Sequence, residues 1–224
     1  MVEFQEKILK TLAYADVFAY PLTLEEIHKF LISDTGNVRR ETQNEIRKQL
    51  NEDSYLVLHI TYHDGFYCFK NRQKIIQQRL QRFKWSQEKT KIAQEVANWL
   101  RLIPFIKMVS VTGNLAMKNA DENDDIDLLI ITGQKRLWLT RLLTIFLIEL
   151  VSKRRRPGDK KVKDKICLNM FLDEKHLAFP KSEQNLFTAH EICQLKILWQ
   201  REKVYQKFSK ENQWYKKFLP NWKS

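Results

Sequence analysis

The spacing of apolar positions changes rhythm about halfway along the chain. Residues 3–18 place Phe4, Ile8, Leu9, Leu12 and Ala15 close to helical spacing. Tyr20-Pro21-Leu22-Thr23 ends that helix, because the residue before a proline avoids the helical region. Thr23, with Glu26 three residues on, forms a capping box for a second helix carrying Leu24, Ile27, Phe30 and Leu31. After the polar turn Ser33–Asn37, a third helix is predicted from about Arg39 to Asn51, with Ile46 and Leu50 facing inward. Two strand-like runs, Tyr55–Ile60 and Phe66–Phe69, flank His63-Asp64-Gly65, and Asp-Gly between such runs signals a hairpin.

Three short helices followed by a hairpin predict a winged-helix domain over residues 1–70. A long polar helical stretch, 71–103, reads as a connector ending at Pro104. The pattern then alternates: strand Ile106–Val111, short helix Asn114–Asn119, acidic loop, strand Ile126–Thr132, and a helix from about Lys135 to Ser152. A basic loop, Lys153–Lys165, leads into a third strand, Ile166–Leu172. Residues 104–180 thus form a second domain, and 181–224 a helical tail with Trp199, Tyr205, Trp214 and Trp222. The fold class is α+β: a winged helix, then a mixed β-sheet with flanking helices and a helical C-terminal segment.

Charge sharpens this outline. The 224 residues carry 39 Lys+Arg against 27 Asp+Glu, a net charge of +12, which favours polyanionic partners. The basic loop holds eight basic and two acidic residues, half of that excess. Three widely spaced cysteines fit a reducing compartment and exclude a disulfide framework. The N-terminus lacks the apolar core of a signal peptide, and the most apolar window, Leu137–Val151, contains Arg141 and Glu149 and is too short to span a bilayer. A soluble cytoplasmic protein without membrane contact is expected.

Within this basic chain, residues 109–132 read VSVTGNLAMKNADENDDIDLLIIT. Asp121, Glu122 and Asp124 read as a solvated loop. Asp125 and Asp127 lead into a strand, where residues two apart share a face with β-carbons about 6 to 7 Å apart. Two such carboxylates suit a hard cation with oxygen ligands, Mg2+ or Mn2+. Two ions about 4 Å apart activate an attacking hydroxyl and stabilise a departing pyrophosphate. Upstream, Gly113 at a strand–helix turn lets a phosphate approach the backbone, with the Asn114 amide and the Lys118 ammonium as further donors.

Thr112-Gly113-Asn114, ten intervening residues, then Asp125-Ile126-Asp127-Leu128 resembles the signature of the nucleotidyltransferase superfamily of DNA polymerase beta. Ala116 and Ala120 fall where minimal nucleotidyltransferases carry alanines. The Tyr20-Pro21-Leu22-Thr23 helix pair and His190-Glu191-Ile192-Cys193-Gln194 are similar to prokaryotic nucleotidyltransferase-domain proteins with an N-terminal winged helix. The resemblance implies that Asp125 and Asp127 are catalytic metal ligands and that Gly113, Asn114 and Lys118 bind a nucleoside triphosphate such as ATP. It also implies a third carboxylate on a later strand. The matching strand offers Asn169 as its inward polar residue, with Asp173 or Glu174 at its end as substitutes.

The expected activity is magnesium-dependent transfer of a nucleoside monophosphate to a hydroxyl. The acceptor stays open among a protein side chain, a small molecule such as an aminoglycoside, and an RNA end. A second function class is a nucleic-acid-binding regulator whose degenerate transferase domain senses nucleotide. In that reading Arg39, Arg40, Arg47 and Lys48 on the third helix face a DNA major groove, although Glu41, Glu45, Glu52 and Asp53 mix the field.

Overall fold

The computed structural model describes residues 2–33 and 41–223, and the chain is α+β with a mixed sheet. Contacts group it into two compact units. One takes the described residues up to Gln81 with 182–193 and those from Trp214 on; the other takes 82–181 with 194–213.

In the first unit, α1 (Val2–Val17) buries Ile8 and Leu12. Thr23 and Glu26 close the expected capping box on α2 (Leu24–Lys29). A second capping box, Thr42 with Glu45, starts α3 (Gln43–Glu52), which turns Ile46 and Leu50 inward. Arg39 and Arg40 lie outside the described residues, and Arg47 and Lys48 lie within α3.

The run expected to open with a strand at Tyr55 instead forms a helix, α4 (Ser54–His59). Asp53 decides this: its carboxylate accepts the Tyr55 and Leu56 amides at 3.0 and 2.9 Å, an N-cap that outweighs the strand preference of Tyr and Val. The hairpin is therefore β1 (Ile60–His63) with β2 (Phe66–Phe69), turning on Asp64 and Gly65, both at positive φ. Arg79 stacks against Tyr20 and Phe66 and pairs with Glu26 through two 2.7 Å bonds.

Arg79 belongs to α5 (Lys74–Leu100), which runs on into the second unit. There β3 (Ile106–Val111) is followed by α6 (Gly113–Ala116), β4 (Ile126–Thr132), α7 (Leu137–Val151) and β5 (Ile166–Asp173). Beyond α8 (Leu186–Gln194) come β6 (Lys196–Gln200) and α9 (Val204–Glu211). The sheet order is β5-β4-β3-β6, with β5 parallel to β4 and the other pairs antiparallel. The segment expected to be wholly helical thus contributes a strand: the apolar run Lys196–Gln200 satisfies the edge of β3. Ala93, Val96, Ala97 and Leu100 of α5 pack on Val109, Val111, Ile126, Leu128 and Ile130. Strand alternation turns Asp127, Leu129 and Ile131 to the opposite face. No helix among the described residues is long and apolar enough to cross a membrane.

Candidate functional site

The site forms where β3 and β5 meet the start of β4. The Thr112 amide donates to the Asp127 carbonyl at 3.1 Å, so the chain leaves β3 alongside β4 and turns at Gly113. Gly113 sits at φ +59, and a β-carbon there would lie 3.5 Å from Asp127 Oδ2. The turn glycine and the second aspartate, fourteen positions apart in sequence, are therefore neighbours. The helix expected over Asn114–Asn119 is a single turn, α6. It ends because Lys118 takes a left-handed backbone, with its amide donating to the Leu115 carbonyl at 3.0 Å.

Asp125 and Asp127 come together as the sequence predicts, but with a third partner that reasoning missed. Ligand atoms of Asp125, Asp127 and Cys167 all lie within 4.8 Å of one another. Cys167 faces Asp127 across the parallel β4–β5 pair, and the register shifts just after it: Leu129 pairs with Met170, so Leu168 and Asn169 together oppose Leu128. That extra residue breaks the alternation that would set Asn169 beside Cys167, and Asn169 is exposed. Asp173 and Glu174 are also removed from it. Asp173 pairs with Thr132, five residues along β4 from Asp127, or roughly 16 Å at the rise of a strand. There the two acids tie the turn before α7, accepting the Lys135 and Gln134 amides at 2.7 and 3.0 Å.

Electrostatics within the cluster are uneven. Burial pushes the Asp127 carboxyl above the usual carboxylate range, with the nearby Asp125 adding to the rise. A hydrogen bond from Cys167 and the Arg155 charge act in the other direction. The thiol itself is pushed up to about 12, by burial first and then by its bond to Asp127. Asp125, 13% exposed, accepts a 2.6 Å hydrogen bond from Arg155 Nη1. No signal in the sequence singled out Arg155 from its basic neighbours.

Around this cluster the acidic loop is fixed in place. Lys89, buried on α5, donates to the carbonyls of Glu122 and Asp124 at 3.0 and 2.8 Å and to Asp164 Oδ1 at 2.7 Å. Its signal was present: Ser86, Lys89, Ala93, Val96, Ala97 and Leu100 repeat at helical spacing, so Lys89 lies on the buried stripe. Asn114 Nδ2 donates to Asp124 Oδ2 at 3.2 Å, and so braces the loop. Lys118 is exposed, its ammonium 5.6 Å from the centre of the Phe83 ring.

No protein-family model, curated protein or solved structure matches this chain. Two carboxylates and a thiol fit a divalent cation: the oxygens suit magnesium or manganese, and the sulfur extends the range to softer ions.

Proposed function

We propose that the second unit is a nucleotidyltransferase domain of the DNA polymerase beta kind, preceded by a winged helix, and that it transfers a nucleoside monophosphate from a triphosphate to a hydroxyl. The observation that carries this reading is the placement of Gly113, at φ +59, against the Asp127 carboxylate. A phosphate that approaches the backbone at Gly113 meets the aspartate pair directly.

In this reading Asp125 and Asp127 hold magnesium or manganese, which when bound supplies charge for the α-phosphate and the departing pyrophosphate. The acceptor oxygen forms a bond to the α-phosphorus as the bond to the bridging oxygen breaks, pyrophosphate departs with that oxygen, and the hydroxyl proton passes to solvent water. Gly113 admits the phosphates, and Asn114 and Lys118 stand at the same turn as nucleotide contacts. The three free cysteines fit a cytoplasmic setting. The test is incubation with Mg2+ or Mn2+ and each labelled nucleoside triphosphate. Wild type releases pyrophosphate and labels an acceptor, and Asp125→Ala with Asp127→Ala removes both. Transfer that survives the double substitution overturns the reading.

One observation favours a second reading, a nucleic-acid-binding regulator that senses nucleotide. The third position beside the pair holds Cys167 in place of a carboxylate, and Arg155 already neutralises Asp125. That protein binds duplex with a steep salt dependence, flattened by substitutions at Arg39, Arg40 and Arg47. Absence of binding at low salt removes it.

A further inference from the structure

A cleft of about 300 Å³ opens beside the aspartate pair, and Cys167 lies in its wall. Arg141 of α7 and the consecutive Arg154, Arg155 and Arg156 line it, against a single acid, Asp159. These arginines sit on an ordered scaffold. The Arg155 amide donates to the Ile166 carbonyl at 2.8 Å, and the Ile166 amide to the Lys153 carbonyl at 2.7 Å, so the backbone is stitched to β5. Asp159 Oδ2 accepts from the Arg156 amide at 2.9 Å and from Lys165 Nζ at 2.8 Å, closing the turn at Pro157-Gly158.

The side chains are only partly engaged. Arg154 and Arg156 each donate to Glu149 at 2.9 Å, Arg155 to Asp125 at 2.6 Å, and Arg141 lies over the Phe171 ring. A guanidinium carries five donors in a planar fork, and these contacts leave donors for an anion. Four arginines lining one cleft suit a doubly charged phosphate better than a singly charged carboxylate.

We propose that this arginine cleft binds a phosphate-bearing ligand next to the aspartate pair, and that Arg155 exchanges Asp125 for that phosphate. Its role in the reaction rests on the nucleotidyl-transfer reading; the binding itself does not. Without a cation, Asp125 competes with the phosphate for Arg155. Whatever neutralises Asp125 releases Arg155 into the cleft, so cation and phosphate strengthen each other's binding, and linkage makes the effect reciprocal.

The test is titration of the full chain with inorganic pyrophosphate in a metal chelator. Arg141→Gln with Arg156→Gln weakens binding roughly tenfold, as loss of charge-assisted bonds to phosphate does, while Arg154 keeps Glu149 paired. The single substitutions give intermediate losses, and thermal unfolding verifies each fold. Asp125→Asn tightens binding several-fold in wild type and clearly less in an Arg155→Gln background, since a double-mutant cycle isolates the pair from the general change of charge. Affinity indifferent to Arg141 and Arg156 overturns the cleft. An equal effect of Asp125→Asn in both backgrounds overturns the exchange. With manganese present, a non-hydrolysable ATP analogue that displaces pyrophosphate assigns the cleft to the nucleotide's own phosphates, and simultaneous binding assigns it to a phosphate on the acceptor; either supports the site. The chelator titrations need no turnover. Failure of nucleotidyl transfer leaves them standing, and their failure leaves the role of the aspartate pair untouched.

Discussion

On the proposed metal-binding reading, thiolate sulfur is a softer donor than carboxylate oxygen, so Cys167 beside Asp125 and Asp127 tilts the set from magnesium and manganese towards cobalt or zinc. Cobalt makes this visible, because a cobalt–thiolate bond absorbs in the near ultraviolet. Wild type titrated with cobalt should gain that band, and Cys167→Ser should bind cobalt without it. Asp125→Asn with Asp127→Asn should weaken cobalt binding by an order of magnitude or more, as loss of two of three ligands does. A band that persists in Cys167→Ser places the sulfur outside the coordination sphere. The aspartates were legible because a strand's period of two is rigid and their spacing states their shared face. Cys167 was not, because its place depends on the parallel register with β4, which leaves no mark in the local pattern, and the extra residue that follows it in β5 displaces Asn169, the position the sequence offered instead.

Between elements, Lys89 does for the acidic loop what an ordered cation would do: it satisfies two carbonyls and one carboxylate from a single buried ammonium. The loop it holds ends at Asp124, next to the first aspartate of the pair. Lys89→Met keeps the apolar stem on the stripe of α5 and removes the three donors. Because Asp164 is 37% exposed, the cost falls below that of breaking a fully buried pair, about 2 kcal/mol. Manganese affinity should drop several-fold with it, read by calorimetric titration well below the melting temperature. Unchanged affinity in a destabilised variant would limit Lys89 to the fold. The elements themselves were largely legible: the Thr23–Glu26 capping box and the Asp-Gly hairpin announce themselves within four residues, while the equally local Thr42–Glu45 box was not read from the sequence. The failure at Ser54–His59 has the same physics. The Asp53 cap is as local as the others, but Tyr55, Val57 and Leu58 stay exposed, so the apolar run marks no buried strand face.

At the scale of the whole molecule, periodicity marks residues 181–224 as amphipathic without saying which core each piece joins. The pieces alternate: 182–193 and those from Trp214 on belong with the first unit, and 194–213 with the second. What ties α8 to the first unit is an aromatic stack rather than a sequence motif. His190 lies between Tyr14 and Phe30, with ring centres 4.1 and 5.5 Å away. Burial lowers its pKa from 6.5 to about 4. The unfolded chain therefore binds the proton first as pH falls, and the native state loses stability between pH 6.5 and about 4. Across that window the loss amounts to at most about 3 kcal/mol. Tyr14, pushed up to about 12 by burial, does not titrate there, so the slope belongs to His190 among the stacked rings. His190→Phe preserves the stack and removes the proton site. Urea unfolding at pH 7.5, 6, 5 and 4.5 should show wild type losing stability relative to the variant at each step down. Two curves that fall in parallel would mean that other groups, and not the buried imidazole, set the acid sensitivity of this unit.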